Sequence, residues 1–276
     1  MPRAAREEVE RFLQRRPPLY RAARAARLWA GCHLLRPRVI AGVPGRVHPN
    51  DVVMAWGKPH MVSAYLHAGR QARALVSDAL ASTGRAPADV AACLDFGCGY
   101  GRVLRHMVQE LDPTRVWVSD VDRAAVSFCV SEFGVRPFSA SEDDLETFEL
   151  IYAISVLTHL AADDGRRVLD LFARRLRPGG AVMFTTHGRA SLARIDSYGA
   201  WCGPQADAIQ REVGGAGFSY RPYPHHKSDA YGLAWHDPSY VEAEMAGIAG
   251  VSMQLVEHWA GALEDHQDVF VFRRTT

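Results

Sequence analysis

The sequence predicts an α/β protein: a doubly wound, mostly parallel sheet with a helical N-terminal extension and an insertion near its end. Three observations carry this. A short apolar run with an acid near its end, Cys93-Leu94-Asp95-Phe96, leads into three alternating glycines, Gly97-Cys98-Gly99-Tyr100-Gly101, followed by Arg102. That is how a chain turns tightly off a buried parallel strand and brings bare backbone close to a ligand. From residue 90 onward, strand-like and helix-like segments alternate, the pattern of a parallel sheet covered by helices on both faces. The composition is ordinary for a globular domain: 276 residues, 48% hydrophobic and 23% charged.

The elements follow in order. Residues 1–57 form a basic arm and loop. Residues 1–38 hold ten Arg and three Glu, and Pro17-Pro18 divides them into two helical segments. Val9, Phe12 and Leu13 line one apolar face, and Leu19, Ala23, Ala26 and Trp29 or Ala30 the other. The arm reads first as a solvated helical face packed on the main domain, and second as a surface for an anionic membrane or an acidic partner. Residues 36–57, rich in Pro and Gly, connect it to a second unit, 58–276. There a helix runs from His60 to Ser82. Strands follow at 90–96, 115–120, 135–138, 150–155 and 181–186, with helices at 102–110, 123–133 and 163–175. Residues 188–237 read as a long loop with many aromatic residues, the mark of a lid over a binding site. A helix at 239–247 and two strands, 251–257 and 268–273, close the chain.

Composition excludes several classes. The formal net charge is +1, so no global field favours nucleic acid. The five cysteines (32, 93, 98, 129 and 202) contain no C-x-x-C pair, which argues against a disulfide framework or a zinc cluster and fits a reducing, cytoplasmic setting. No apolar run approaches the roughly 18 residues of a membrane span, and no basic-then-apolar leader opens the chain. His225, His236, Asp237 and His266 offer metal donors, but their spacing matches no ligand pattern and no metal is expected.

Candidate site residues cluster at strand ends. A dinucleotide fold wants G-x-G-x-x-G, and Arg102 stands at its third glycine position, which argues against a nicotinamide cofactor. Asp120 ends the second strand, where a carboxylate can accept both hydroxyls of a ribose. Asp122 reads as the cap of the helix that starts at Arg123. His159 and His187 follow the fourth and fifth strands on the ligand side.

The fourth-strand segment Tyr152-Ala153-Ile154-Ser155-Val156-Leu157-Thr158-His159-Leu160, the turn Leu176-Arg177-Pro178-Gly179-Gly180, the compact glycine loop and Asp120 occur in an order that resembles the class I S-adenosylmethionine methyltransferases, in their small-molecule branch (a methyltransferase type 11/25-like domain). The resemblance covers residues 90–187 and, through the last two strands, reaches the C-terminus. Glu149 stands where the family has Asp, and Ser139 to Asp144 lack the family pattern. The resemblance implies a Rossmann-like sheet of seven strands, the last antiparallel, and S-adenosylmethionine as cofactor. It implies that Gly97, Gly99 and Gly101 flank the methionine part, with Asp95 acting through its ammonium or a water. Asp120 would hold the ribose, Ala140 and Ser141 border the adenine, and Ser155 border the sulfonium. The acceptor is expected to be a small molecule, natural-product or sugar-like, methylated on oxygen or nitrogen. Tyr223, Trp235 and His266 are the expected acceptor contacts, and His159, His187 and His236 the candidate proton acceptors. The rival reading is a cofactor-fold scaffold without turnover.

Overall fold

The computed structural model describes Ala22, Ala26, Val43, Val47, His48, Asn50 and Asp51, and residues 61–139, 146–198, 202–223 and 231–276. The two arm helices as units, Ala140, Ser141, Trp201, His225 and His226 lie outside the described residues. Helix α1 (Met61–Ser82) precedes β1 (Cys93–Phe96), α2 (Leu104–Met107), β2 (Val116–Ser119), α3 (Arg123–Phe133), β3 (Arg136–Pro137), β4 (Phe148–Ala153), α4 (Ala162–Arg175) and β5 (Leu176–His187). Then come α5 (Arg189–Leu192), α6 (Ala206–Ala216), β6 (Phe218–Pro222), β7 (Gly232–His236), α7 (Pro238–Ala246), β8 (Met253–Leu263) and β9 (Gln267–Arg274). Among the described residues no helix is long and apolar enough to cross a membrane.

Strands β3, β2, β1, β4 and β5 lie side by side and parallel. On the far edge of β5 lies β9, antiparallel, and β8 pairs antiparallel with β9. The expected mostly parallel sheet with its antiparallel closing strand is therefore present. One helix ends where its residues dictate: Asp122 caps α3 by accepting from the Ala124 N–H, and Gly134, at φ 72°, ends it in the left-handed region. The segment Arg177 to Gly180, expected as a turn before the fifth strand, is instead the start of a twelve-residue β5. The register slips there between Phe148 and Leu150, Gly179 takes φ 80°, and a Cβ on Gly180 would lie 2.9 Å from the Arg177 carbonyl oxygen. Glycine turns what reads as a break into a bulge.

Nine strands are described, not seven, because the insertion is not a long loop. It carries α6 and an antiparallel hairpin, β6 and β7. Pairing of β4 with β5 stops at Ala153↔Phe184, and beyond it His187 pairs with Trp235 of β7. The other edge of β5 is taken there, by Gln267 of β9 against His187. Strand β7 therefore continues the edge that β4 vacates, and the hairpin sits over the carboxyl end of β4.

The sheet separates two apolar clusters. One holds Leu104, Met107, Cys93, Leu150, Tyr152 and Val269; the other holds Leu94, Ile151, Phe172, Phe184, Phe270 and Met245. The insertion has a third cluster of its own, with Ile195, Cys202, Ile209, Val213, Leu233 and Trp235 buried together. A small separate core opens at lower free energy than the sheet it leans on. The backbone amides of β6 and β7 should thus exchange with deuterium faster than those of β1 and β4. Ile209→Ala should accelerate exchange in the insertion alone; equal acceleration in β1 would show that the insertion and the sheet unfold as one unit.

Candidate functional site

The glycine loop hangs on the end of β2. The Ser119 carbonyl accepts from the Gly97 N–H at 2.7 Å and the Cys98 N–H at 3.1 Å. The Asp120 carboxylate accepts from the Gly99 N–H at 2.8 Å through Oδ2 and from the Asp122 N–H at 2.8 Å through Oδ1. Each oxygen keeps room for a further donor. Gly97, Gly99 and Gly101 have φ 79°, 50° and 76°, the left-handed region that favours glycine. A Cβ on Gly97 would come within 2.3 Å of Val156, and one on Gly101 within 2.5 Å of Phe133. A Cβ on Gly99 would meet no atom of the described residues within 4 Å, so on that side its backbone faces open space beside Asp120. Val121, next in the chain, is fully exposed. An apolar side chain beside a ribose-capable carboxylate fits the flat face of a heterocycle, and only its neighbour Asp120 betrays it in the sequence.

A row of polar side chains crosses one face of the sheet at its carboxyl edge. Asp95 pairs in register with Tyr152, so both point to the same face, and the Tyr152 hydroxyl donates to Asp95 Oδ2 at 2.8 Å. Burial pushes the Asp95 pKa up to about 7; the Tyr152 hydrogen bond opposes this and the nearby Asp120 charge adds to it. Farther along the row stand Thr185 and His187 of β5 and Gln267 of β9. Ser155, just past β4, has φ 59°, unusual for a residue with a side chain. Its N–H donates to Thr185 Oγ1 at 2.8 Å.

Beyond this row stands a wall of imidazoles from the sheet domain (His159, His187, His266) and phenols from the insertion (Tyr198, Tyr223, Tyr231). His159 Nδ1 lies 2.8 Å from the Gly232 carbonyl oxygen, and His187 Nδ1 lies 3.1 Å from that of Ala234. A carbonyl only accepts, so both rings carry the proton on Nδ1 and leave Nε2 as the basic nitrogen. The Tyr223 hydroxyl lies 3.2 Å from His159 Nδ1, and Tyr231 stacks on the same ring at 4.9 Å. His159 and His187 stand 6.5 Å apart, centroid to centroid, and His187 and His266 5.1 Å apart. Tyr198 joins His266 to Ser191 by hydrogen bonds through its hydroxyl. Burial lowers the pKa of His159, His187 and His266, and raises that of Tyr198 to about 12. At neutral pH these groups are uncharged. Burial first, and then the charge of Asp120, raises the Tyr231 pKa.

Two candidates sit elsewhere. Paired residues of adjacent strands share a face, so His187 and Trp235 point together and His236 points the other way. His236 is packed against Phe218 and Tyr240, its Nδ1 has no hydrogen-bond partner among the described residues, and burial lowers its pKa to about 3. It stands apart from the imidazole wall and is not placed to share its chemistry. Trp235 faces the wall but is fully buried in the insertion's own core, touching His187 and Tyr198 by ring edges and faces. Among the described residues no group of three or more His, Cys, Asp or Glu could hold a metal ion. The sequence assigns no role to Tyr152, Thr185, Tyr198 or Gln267, each a single polar group in an apolar or loop-like context.

Residues 67–276 match a family model described as a methyltransferase domain. No curated protein matches the chain. Among solved structures, the chain is similar to the N-methyltransferase NodS of Bradyrhizobium japonicum in complex with S-adenosyl-L-homocysteine, at 17% identity over 75% of this chain and 87% of that one, with a TM-score of 0.46. It is also similar to the CcbJ methyltransferase of Streptomyces caelestis, at 15% identity over 75% and 90% of the two chains, TM-score 0.49. A third is the mitomycin 7-O-methyltransferase MmcR, at 15% identity over 78% and 56%, TM-score 0.48.

Two outcomes follow from the geometry. Gly97→Ala should cost roughly 2–4 kcal/mol, combining a left-handed backbone penalty with overpacking against Val156. Adding Val156→Ala should recover the packing share, as read by urea denaturation. Asp95 has a folded pKa raised above its unfolded value, so the folded state holds the proton more tightly between about pH 4 and pH 7. Stability should therefore fall as pH rises through that window, and Asp95→Asn should flatten the fall. An unchanged pH profile in that variant would remove Asp95 as its source.

Proposed function

We propose, because this chain belongs to the methyltransferase-domain family, that it binds S-adenosylmethionine on the glycine loop and catalyses methyl transfer to an oxygen or nitrogen of a small organic acceptor. When bound, that cofactor supplies an electrophilic methyl carbon on a sulfonium. The single observation that carries the reading is the bare Gly99 backbone beside a carboxylate with unused acceptor positions, flanked by an exposed Val121. These residues fit the cofactor. Asp120 would accept from the two ribose hydroxyls, Val121 would lie under the adenine, and the glycine backbone would border the methionine part. Asp95, buried and protonated in part near neutrality, would ionise as an ammonium group approaches.

The acceptor would meet the uncharged wall of His159, His187, His266, Tyr198 and Tyr223. Such a wall disfavours a charged acceptor, because a buried charge needs a counter-charge. It favours a neutral, ring-bearing molecule held against aromatic faces. A hydroxyl acceptor must lose a proton, and the Nδ1–H form of His159 presents Nε2 to take it. This favours oxygen over nitrogen as the methylated atom. Tyr231, stacked on His159 and partly exposed, would help to exclude water. The hairpin and the glycine loop would together hold the two reactants in line, the main contribution such a site can make.

Binding and transfer measurements test this. Calorimetry should detect binding of S-adenosylhomocysteine to the wild type. Asp120→Asn should weaken it roughly 10–100-fold, the loss of one or two charge-assisted hydrogen bonds; unchanged affinity would take Asp120 out of the site. With labelled S-adenosylmethionine and an accepted hydroxyl compound, His159→Ala should slow transfer by about 100-fold at neutral pH. Because burial lowers the His159 pKa, wild-type activity should be lost only as pH falls below the ordinary imidazole value of about 6.5. A variant that keeps the rate and the profile would leave His159 as a packing residue.

A further inference from the structure

A closed ring of hydrogen bonds joins the β4 turn to the strand that faces the imidazole wall. The Ser155 N–H donates to Thr185 Oγ1 at 2.8 Å, and that hydroxyl donates to Gln267 Oε1 at 2.6 Å. The Gln267 amide in turn donates from Nε2 to Ser155 Oγ at 2.9 Å. Thr185 spends its proton on Gln267 and its lone pair on Ser155, so Gln267 is oriented by what it touches. Gln267 is 8% exposed and comes from β9, more than a hundred residues away from Ser155 in sequence.

The ring explains how Ser155 is held in the left-handed region at φ 59°, a conformation that persists only when its surroundings over-determine it. The Ser155 turn lies against the glycine loop: Val156, the next residue, occupies the space a Gly97 side chain would need. Gln267 is also the register partner of His187 and the neighbour of His266, which bonds Tyr198. One side chain therefore ties the glycine-loop side of the site to the imidazole wall. With Gln267 Nε2 donating to Ser155 Oγ, the Ser155 hydroxyl proton is left for the shared 3.1 Å contact with Oε1 or for a bound ligand. Replacing the amide with a group that only accepts would force that proton inward.

The geometry points to Gln267 as a positioning residue of the transfer reaction: it sets Ser155 against the cofactor cradle and keeps that turn in register with the acceptor wall. This rests on the methyltransferase reading above. The test uses the full chain and S-adenosylhomocysteine as the probe, with affinity read by calorimetry and stability by thermal melting. Wild-type binding must be present; its absence would overturn the cofactor reading and the Gln267 role with it. Given wild-type binding, Gln267→Leu should lower affinity about ten-fold, the scale of one buried hydrogen-bond network losing its donor. Gln267→Glu keeps the shape, loses the Nε2 donor, and should lower affinity similarly. Thr185→Val should do the same, and the Gln267→Leu/Thr185→Val double variant should lose no more than the larger single loss, because both act through one ring. Thr185→Ser, which keeps the hydroxyl, should restore affinity. Val269→Ala, a buried apolar change on the same strand, should lower the melting temperature yet hold affinity within about two-fold. Wild-type affinity in both Gln267 variants, or strictly additive losses with Thr185, would overturn the proposal and leave the cofactor reading standing.

Discussion

The site depends on the end of β2. Two backbone amides of the glycine loop converge on the Ser119 carbonyl, and a third is caught by the Asp120 carboxylate. The amides of Gly97, Cys98 and Gly99 would otherwise lack partners, and a buried unpaired amide costs as much as a lost hydrogen bond. With the loop pinned, the Gly97 backbone can pack on Val156, and that contact brings the Ser155 turn against it. In the proposed reading, the carboxylate that holds the loop would also receive the ligand's hydroxyls, so structure and binding would draw on different lone pairs of one group.

Strand parity then divides the chemistry. Side chains on one face at the carboxyl edge include Asp95, Tyr152, Thr185, His187, Gln267 and Trp235, whereas Thr186 and His236 point to the other. Along the functional face the character changes from acidic to neutral. Asp95 and Asp120 flank the glycine loop, and a cationic ligand is at ease there. Farther along, burial drives imidazoles down and phenols up, so the wall stays uncharged near neutral pH. A sulfonium on one side and a neutral hydroxyl on the other is the division of charge such a gradient accommodates.

Much of this was legible in the sequence, for identifiable reasons. The glycine spacing, Asp120 at a strand end and the cap-and-glycine pair around α3 are local signals, and each is read from a few adjacent residues. The insertion was not legible. Gly214-Gly215 inside α6 and Pro222 at the end of β6 carry turn signals, and only packing of Ile209 and Val213 beneath Trp235 makes them helix and strand. His236 looked equivalent to His187 because residue type and region matched; a one-residue difference in parity sends it to the opposite face. The role of Gln267 was not legible for a related reason. The residue opens an apolar strand, and its partners are over eighty and over a hundred residues away in sequence.

The insertion and the proton chemistry are coupled through the same atoms. Two imidazoles of the wall, His159 and His187, come from the sheet domain, and both place Nδ1 against carbonyls of β7, Gly232 and Ala234. Those bonds help to hold the hairpin over the end of β4, with the Leu160↔Tyr231 bridge and the His187↔Trp235 pair beside them. They also select the tautomer whose Nε2 is basic. A hairpin displaced from the sheet would free both Nδ1 protons to move, and the rings would lose the fixed donor–acceptor sense that proton transfer requires. If one of these imidazoles is the base, closing the site and arming it would be one event, made by two backbone carbonyls of a strand that the sequence presents as loop.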